Sequence, residues 1–376
     1  MTSVNTWELA RSRDAVERLA AAPLAPELLG RELVAGIRRA VPFLGWCLAV
    51  VDPESLLVAS AVAENPAIWH PHPTVLVRNL GRLFELEYAE DVNRYRDLLQ
   101  QRAPVRSLHA ATGGDLRQSA RWRAIYDGSG LGDELRLVLV LDGRCWGFLE
   151  LLREQGDRAF SEEEGSFLAR LMPQIATSLR RARVADMPQT QRDEQRTAPG
   201  PGTVILDEDF REIAATPEAE EWMSRIRSPS DANITPTAVL AVAARVRSLR
   251  TARPVPGEEP RVRVRGPMGE WVTISASPLT GGSALAGAIA VTLAGSGAEL
   301  GNLVLEARGL TARERELASL VLAGYSNREI AARLFLSPYT VGDHLKAILE
   351  KVGAHSKREL IANALGGGVR DGFITV

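Results

Sequence analysis

Apolar positions along the chain switch between helical and strand spacing, and each switch predicts an element. Residues 7–20 and 26–40 carry apolar side chains every three or four positions, Leu29, Leu33 and Ile37 among them, which predicts two leading helices with Pro26 in a first turn. The stretch WCLAVVDPESLLVASAV, 46–62, then reads as two strands around an Asp-Pro-Glu-Ser turn. In ELRLVLVLDGRCWGFLELL, 134–152, Asp142-Gly143 between apolar runs predicts a hairpin, so this region holds at least four strands. A helix opens at SEEE, where Ser161 and Glu164 have capping-box spacing, and runs through Phe167, Leu168, Leu171, Met172, Ile175 and Leu179. Pro173 is expected to kink it or break its bonding locally.

Between these elements the period fails. Residues 63–133 show no clean repeat yet hold Trp69, Phe84, Tyr88, Tyr95, Trp122 and Tyr126, in a chain only 5% aromatic. Aromatic rings supply large apolar contact area with polar tips, so Trp69, Tyr88, Tyr95, Trp122 and Tyr126 are the expected lining of an effector pocket. The competing reading is that the rings fill the gap between an irregular loop and the sheet.

Residues 186–202, DMPQTQRDEQRTAPGPG, are polar with Pro and Gly and read as a linker. A second α+β pattern follows. TVILDEDFREIAA predicts a hairpin, TPEAEEWMSRI and AVLAVAARVRSL two helices, RVRVRGPMGEWVTISASPL another hairpin, and AGAIAVTLAG a last strand. No internal repeat of fixed period is visible.

From Leu310 onward the helix signals are explicit. Thr311 with Glu314, Ser326 with Glu329, and Ser356 with Glu359 have capping-box spacing, Gly324 suits a left-handed helix end, and Ser337-Pro338 supplies a cap and a first-turn proline. Four helices are predicted, at about 312–323, 327–334, 338–352 and 357–365. The second and third are joined by only Phe335-Leu336-Ser337, the spacing of a helix-turn-helix, whose second helix enters a DNA major groove.

This segment, GLTARERELASLVLAGYSNREIAARLFLSPYTVGDHLKAILEKVGAHSKRELI, resembles the C-terminal DNA-binding domain of LuxR-type (LuxR/FixJ) transcription regulators. It carries the family's L-T-x-R-E, G-x-S-N-x-E-I-A, L-x-x-S-x-x-T-V-x-x-H and K-x-G-x-x-S-[RK] elements. The resemblance implies a transcription factor that binds inverted half-sites as a homodimer, with RNA polymerase as a further partner. It places Ser326, Asn327, Arg328, Ser337, Tyr339, Thr340, Gly342, Asp343, His344, Lys346 and Lys351 in the DNA-contacting set, His344 in a structural or phosphate-facing role.

The residues sharpen that expectation. With Val341, Leu345 and Ile348 buried, Tyr339, Gly342, Asp343 and Lys346 share the opposite face. The family often has a long basic residue at the Gly342 position, so readout falls to Asp343, Lys346 and Tyr339, while Lys351 near the helix end is expected on a phosphate.

Composition narrows the rest. The 376 residues have a formal net charge of −2 and 45% hydrophobic content, so a basic footprint must be local. Residues 308–365 hold nine basic and six acidic side chains. The N-terminus lacks the form of a signal peptide, and no run approaches the roughly 18 apolar residues of a membrane span, so no membrane partner is expected. Two cysteines, Cys47 and Cys145, fit a reducing cytoplasm and read as buried small hydrophobes.

Enzyme chemistry finds little purchase. His70-Pro-His72 lacks further ligands at metal spacing, no His lies in 186–300 to hold a haem, and neither G-x-S-x-G nor G-x-x-x-x-G-K-[ST] occurs. Gly295-x-Gly297-x-x-x-Gly301 resembles a dinucleotide-phosphate loop without its βαβ unit. No cofactor, metal or catalytic residue is expected.

In its order of elements, and in GLGDELRLVLV and GRCWGFLEL, the front of the chain resembles a GAF domain of actinobacterial LuxR-type regulators, and the second pattern resembles a PAS domain. The expected architecture is multidomain α+β: helices and a GAF-like sheet domain at 1–185, a linker at 186–202, a PAS-like sheet domain at 203–300, and an all-α helix-turn-helix domain at 301–376. The expected function is a one-component regulator of double-stranded DNA under a small-molecule effector. The alternative is a constitutive regulator whose front domains only dimerise or bind a protein partner.

Overall fold

The computed structural model describes residues 6–21, 24, 26–64, 73–89, 91–101, 103–184, 198–227, 235–249, 259–267, 270–280, 285–296 and 308–364. The chain divides into two units, Met1–Ala182 with Pro199–Ala294, and Arg183–Ala198 with Gly295–Val376.

The first unit opens with α1 (Thr6–Ala21) and α2 (Pro26–Ile37), followed by β1 (Gly45–Val51) and β2 (Val58–Glu64). The aperiodic stretch then folds as α3 (Pro73–Tyr88), α4 (Tyr95–Leu99), β3 (Val105–Ser107) and α5 (Leu108–Thr112), with a π-helical turn at Trp122–Tyr126. β4 (Leu131–Leu141), β5 (Arg144–Glu154) and α6 (Glu162–Val184) complete this half. The strands form an antiparallel sheet in the order β2-β1-β5-β4-β3. At the β4–β5 turn Asp142 and Gly143 have φ of 51° and 72°, the left-handed pair that a two-residue hairpin requires.

The second pattern gives β6 (Gly202–Leu206), β7 (Glu212–Ala215), α7 (Pro217–Ile226), α8 (Thr237–Leu249), β8 (Arg261–Arg265), β9 (Trp271–Pro278) and β10 (Ile289–Gly295). Its sheet order is β7-β6-β10-β9-β8. In each sheet the first strand lies between the second and the fifth, so the two have one topology although the sequence shows no repeat.

Close contacts explain two glycines on the helix-covered face of the first sheet. A Cβ on Gly30 of α2 would lie 2.8 Å from the Trp46 ring, and one on Gly147 of β5 would lie 2.5 Å from Leu179 of α6. Helix α6 continues through Pro173 without the expected break. Leu168, Leu171, Ile175 and Leu179 are buried on both sides of the proline, and that packing carries the helix past the missing N–H.

The sheets share one apolar core. Ala49, Val51, Phe84, Val138 and Phe148 from the first half cluster with Val204, Trp222, Val242, Val264 and Ile274 from the second. Helix α8, buried from Ala238 to Val246, packs against α3 and β2 as well as β8 and β9. At the same seam the Arg263 guanidinium donates to both Asp52 oxygens at 2.8 Å, and the Arg263 amide donates to Asp52 at 2.9 Å.

The second unit holds α9 (Ala312–Leu322), α10 (Asn327–Leu334), α11 (Pro338–Val352) and α12 (Lys357–Ala364), matching the four predicted helices closely. Leu317, Val321, Ile330, Leu334, Val341, Leu345, Ile348 and Leu360 meet in its core.

Candidate nucleic-acid interface

The caps that set these helices are formed. Thr311 and Glu314 exchange bonds at 3.2 and 2.6 Å, and Ser326 and Glu329 at 3.4 and 2.7 Å. At the third box the Ser356 hydroxyl accepts from Glu359 N at 3.1 Å, but the Glu359 carboxylate reaches one residue further back, accepting from His355 N at 2.7 Å. Ser337 caps α11, accepting from Thr340 N at 3.0 Å, with its hydroxyl 2.8 Å from that of Thr340.

Helix α11 turns Val341, Leu345, Ile348 and Val352 inward. Tyr339, Asp343 and Lys346 are exposed on the other side, Tyr339 at 80%. A Cβ on Gly342 would meet nothing within 4 Å, so nothing in the domain demands glycine there. His344 is half-buried on the flank. Ser326, Arg328 and Ser337 are exposed at the starts of α10 and α11, while Asn327 and Thr340 are half-buried.

Lys351, expected on a phosphate, makes an ion pair within the domain. Its ammonium contacts Glu314 Oε1 at 2.8 Å and Oε2 at 2.7 Å, tying the end of α11 to the start of α9. Burial alone would raise the Glu314 carboxyl, but the bonds from Lys351 and Thr311 hold it below its ordinary range. The capping box reserved Glu314 for its own helix start and gave no sign of a partner 37 residues away.

Two further residues carried no signal in the pattern. Arg313 donates to the Leu334 carbonyl at 2.7 Å, closing the end of α10. Phe335, at the corner itself, has φ 55° and is 95% exposed.

Residues 308–364 match the family described as bacterial regulatory proteins, luxR family. That segment is a LuxR-type helix-turn-helix domain. Oxygen regulatory protein NreC of Staphylococcus aureus is 46% identical over 56 residues, which are 15% of this chain and 26% of the relative. The chain thus spans about a quarter of the length of the curated relatives it matches. Among solved structures, Escherichia coli SdiA aligns over 96% of this chain and 99% of its own, at 13% identity and a TM-score of 0.33. The phage VqmA-DPO complex aligns over 47% of this chain and 87% of that one, at 22% identity and a TM-score of 0.20. Neither TM-score bears on the fold of the unit that precedes the LuxR-type domain.

In that unit the predicted effector residues separate. Trp69 lies outside the described residues, as do His70 and His72. Tyr88 and Tyr95 line a cavity of about 50 Å³ with Ser55, Leu56, Leu57 and Arg96. Trp122 and Tyr126 belong instead to an apolar cluster with Leu83, Leu86, Ile125 and Leu152.

The inner face of the first sheet carries a buried charged network. Arg136 donates to Glu87 and Glu134 at 2.5 Å and to Glu150 at 3.2 Å, and Arg121 donates to Asp91 at 2.9 Å and Glu134 at 3.0 Å. Burial would raise the Glu134 carboxyl, but Arg121 and Arg136 hold it far below its ordinary range. Burial, and then the Glu134 charge, push the Glu150 carboxyl well above it, against the pull of Arg136. The alternating strand pattern hid this network, because Glu134, Arg136 and Glu150 occupy positions that read as the solvent side.

Proposed function

We propose that the chain is a transcription regulator that binds double-stranded DNA as a homodimer through the outer face of α11. Its front unit acts as a sensor built from a GAF-like domain at 1–185 and a PAS-like domain at 203–300. The observation that carries the reading is the outward row of Tyr339, Gly342, Asp343 and Lys346 on a helix whose other side closes the domain core. A face free of packing, started by the capped corner at Ser337, suits entry into a major groove. Asp343 can accept from a cytosine amino group, Lys346 can donate to guanine, and Arg328 at the start of α10 is poised for a phosphate.

One recognition helix reads only a few base pairs, so a pseudo-palindrome read by two copies is expected. The common order of the two sheets supports kinship between the GAF-like and PAS-like halves. No catalytic role is proposed. Among the described residues no helix is long and apolar enough to cross a membrane.

Selection of duplexes from a random library by the full chain, followed by footprinting and mass measurement, tests this reading. Two protected half-sites about one helical turn apart and a dimer's mass are expected. One half-site with a monomer's mass overturns the dimer, and no enrichment over random sequence overturns specific DNA recognition.

A second reading, a constitutive regulator whose front unit only dimerises or binds a protein, draws on the charged network that fills the first sheet's inner face. Mass spectrometry of a small molecule co-purified with the chain separates the two.

A further inference from the structure

Residues 308–364 contain four glycines, and three of them have a conformational reason. Gly309, Gly324 and Gly353 hold φ of 78°, 86° and 69°, the left-handed region that a side chain resists, and Gly353 caps the end of α11. Gly342 has no such reason. Its φ is not positive, it lies in the second turn of the 15-residue α11, and a Cβ there would meet nothing within 4 Å. Glycine is the least favourable residue for a helix interior after proline, and alanine the most favourable. The domain thus carries a destabilising residue that neither its backbone nor its packing requires, on the face that points away from its core.

What such a residue offers is the absence of one methyl group. Tyr339 stands one turn before Gly342 and Lys346 one turn after, at i−3 and i+4, and both are exposed, so the glycine leaves a notch between two larger side chains. The notch is apolar. Inside α11 the Gly342 N–H is committed to the helix ladder, which leaves only its CH groups facing outward. A phosphate would find no donor there and would meet the Asp343 carboxylate beside it. Of the groups that base pairs display in a major groove, the thymine C5-methyl is the apolar one.

We infer that Gly342 is a specificity-determining residue: its notch admits the C5-methyl group of one thymine in each half-site, with the Tyr339 ring and the Lys346 stem as walls. The inference deepens, and rests on, the reading of α11 as the recognition helix. A side chain at position 342 and a methyl on the base compete for one space, so removing either makes room for the other. That reciprocity separates the notch from the effect of glycine on helix stability, which no change of base can alter.

The test uses the full chain and a duplex that it selects from a random library. Each thymine is replaced in turn by deoxyuracil, which keeps the base pair and removes only the methyl. At one position in each half-site the parent is expected to bind about fourfold less tightly, the loss of one buried methyl contact. Gly342→Ala should slow amide exchange in α11 while weakening the unmodified duplex about tenfold, and deoxyuracil at that same position should restore most of the loss. Undiminished affinity of the Gly342→Ala variant, a loss that no deoxyuracil relieves, or a selected half-site without thymine overturns the proposal and leaves the DNA-binding reading standing. A chain that selects no duplex removes the recognition helix and the notch together.

Discussion

The Lys351 ammonium lies 2.8 and 2.7 Å from the two carboxylate oxygens of Glu314, joining the last turn of α11 to the first turn of α9. Glu314 is nearly buried and also accepts from Thr311 N, so removing the lysine leaves a carboxylate short of its main counter-charge. The ammonium is itself more than a third exposed, which limits the loss through solvent screening. Lys351→Ala should cost the helical domain about 1 kcal/mol, read as about fivefold faster amide exchange in α9 and α11 of the full chain. Because the folded Glu314 carboxyl is held low, the stabilisation is present above the ordinary glutamate value of about 4.3 and is lost as pH falls through the folded value. Unchanged exchange at neutral pH would show that the pair contributes nothing.

Lys346 makes the contrasting case, exposed on the outer face of α11. Lys346→Ala should weaken binding to a selected duplex by about 1 to 3 kcal/mol and relax preference at one base position. Lys351→Ala should leave affinity and salt dependence close to those of the parent, since its charge is used inside the domain. Equal losses for the two variants in a salt series would return Lys351 to the phosphate backbone.

Phe335 holds a left-handed φ of 55° while burying almost nothing. The corner is closed by Leu336 N donating to Ala331 O at 2.9 Å, a helix ending in which the left-handed residue is usually glycine. Phe335→Gly should therefore stabilise the helical domain by about 0.5 to 1 kcal/mol in urea unfolding monitored by helix content. A destabilised variant would mean that the ring makes contacts its exposure conceals.

Within the first sheet, Glu134 and Glu150 should respond oppositely to the same change. Glu134→Gln removes the carboxylate facing Arg121 and Arg136 and should cost about 3 to 5 kcal/mol, as breaking a buried ion pair does. The Glu150 carboxyl is pushed upward by burial and by Glu134, so Glu150→Gln should be neutral at low pH, where the carboxyl is protonated. The folded Glu150 value is raised, so the parent loses stability as pH climbs from the ordinary value of about 4.3 toward the folded value, and Gln should abolish that loss. Tryptophan-monitored melts across pH read both variants, because all seven tryptophans precede Leu310.

What could be read locally was read well. The four terminal helices followed from caps, a first-turn proline and apolar spacing, signals that act over three or four residues. Asp142-Gly143 placed its hairpin for the same reason, since the two residues alone determine whether the chain can adopt the left-handed pair. Ser356 and Glu359 show the edge of that legibility: the cap formed, but which amide the carboxylate took depended on a single residue of chain path.

The sequence by itself determined where the four terminal helices and the Asp142-Gly143 hairpin lie, which face of α11 points away from its core, and that the last segment is of LuxR type, but it gave no start for α3, α4, α5 or β3. Only the tertiary structure decided that both sheets share a core through α8, that Asp52 would meet Arg263 across 211 residues, and that Lys351 would turn to Glu314 rather than outward. It also made Glu134, Arg136 and Glu150 an interior network instead of a solvent face. The physical reason is that periodicity shows two faces of a strand or helix but not what covers them. A charged residue on a strand reads as exposed until another element brings the opposite charge to it.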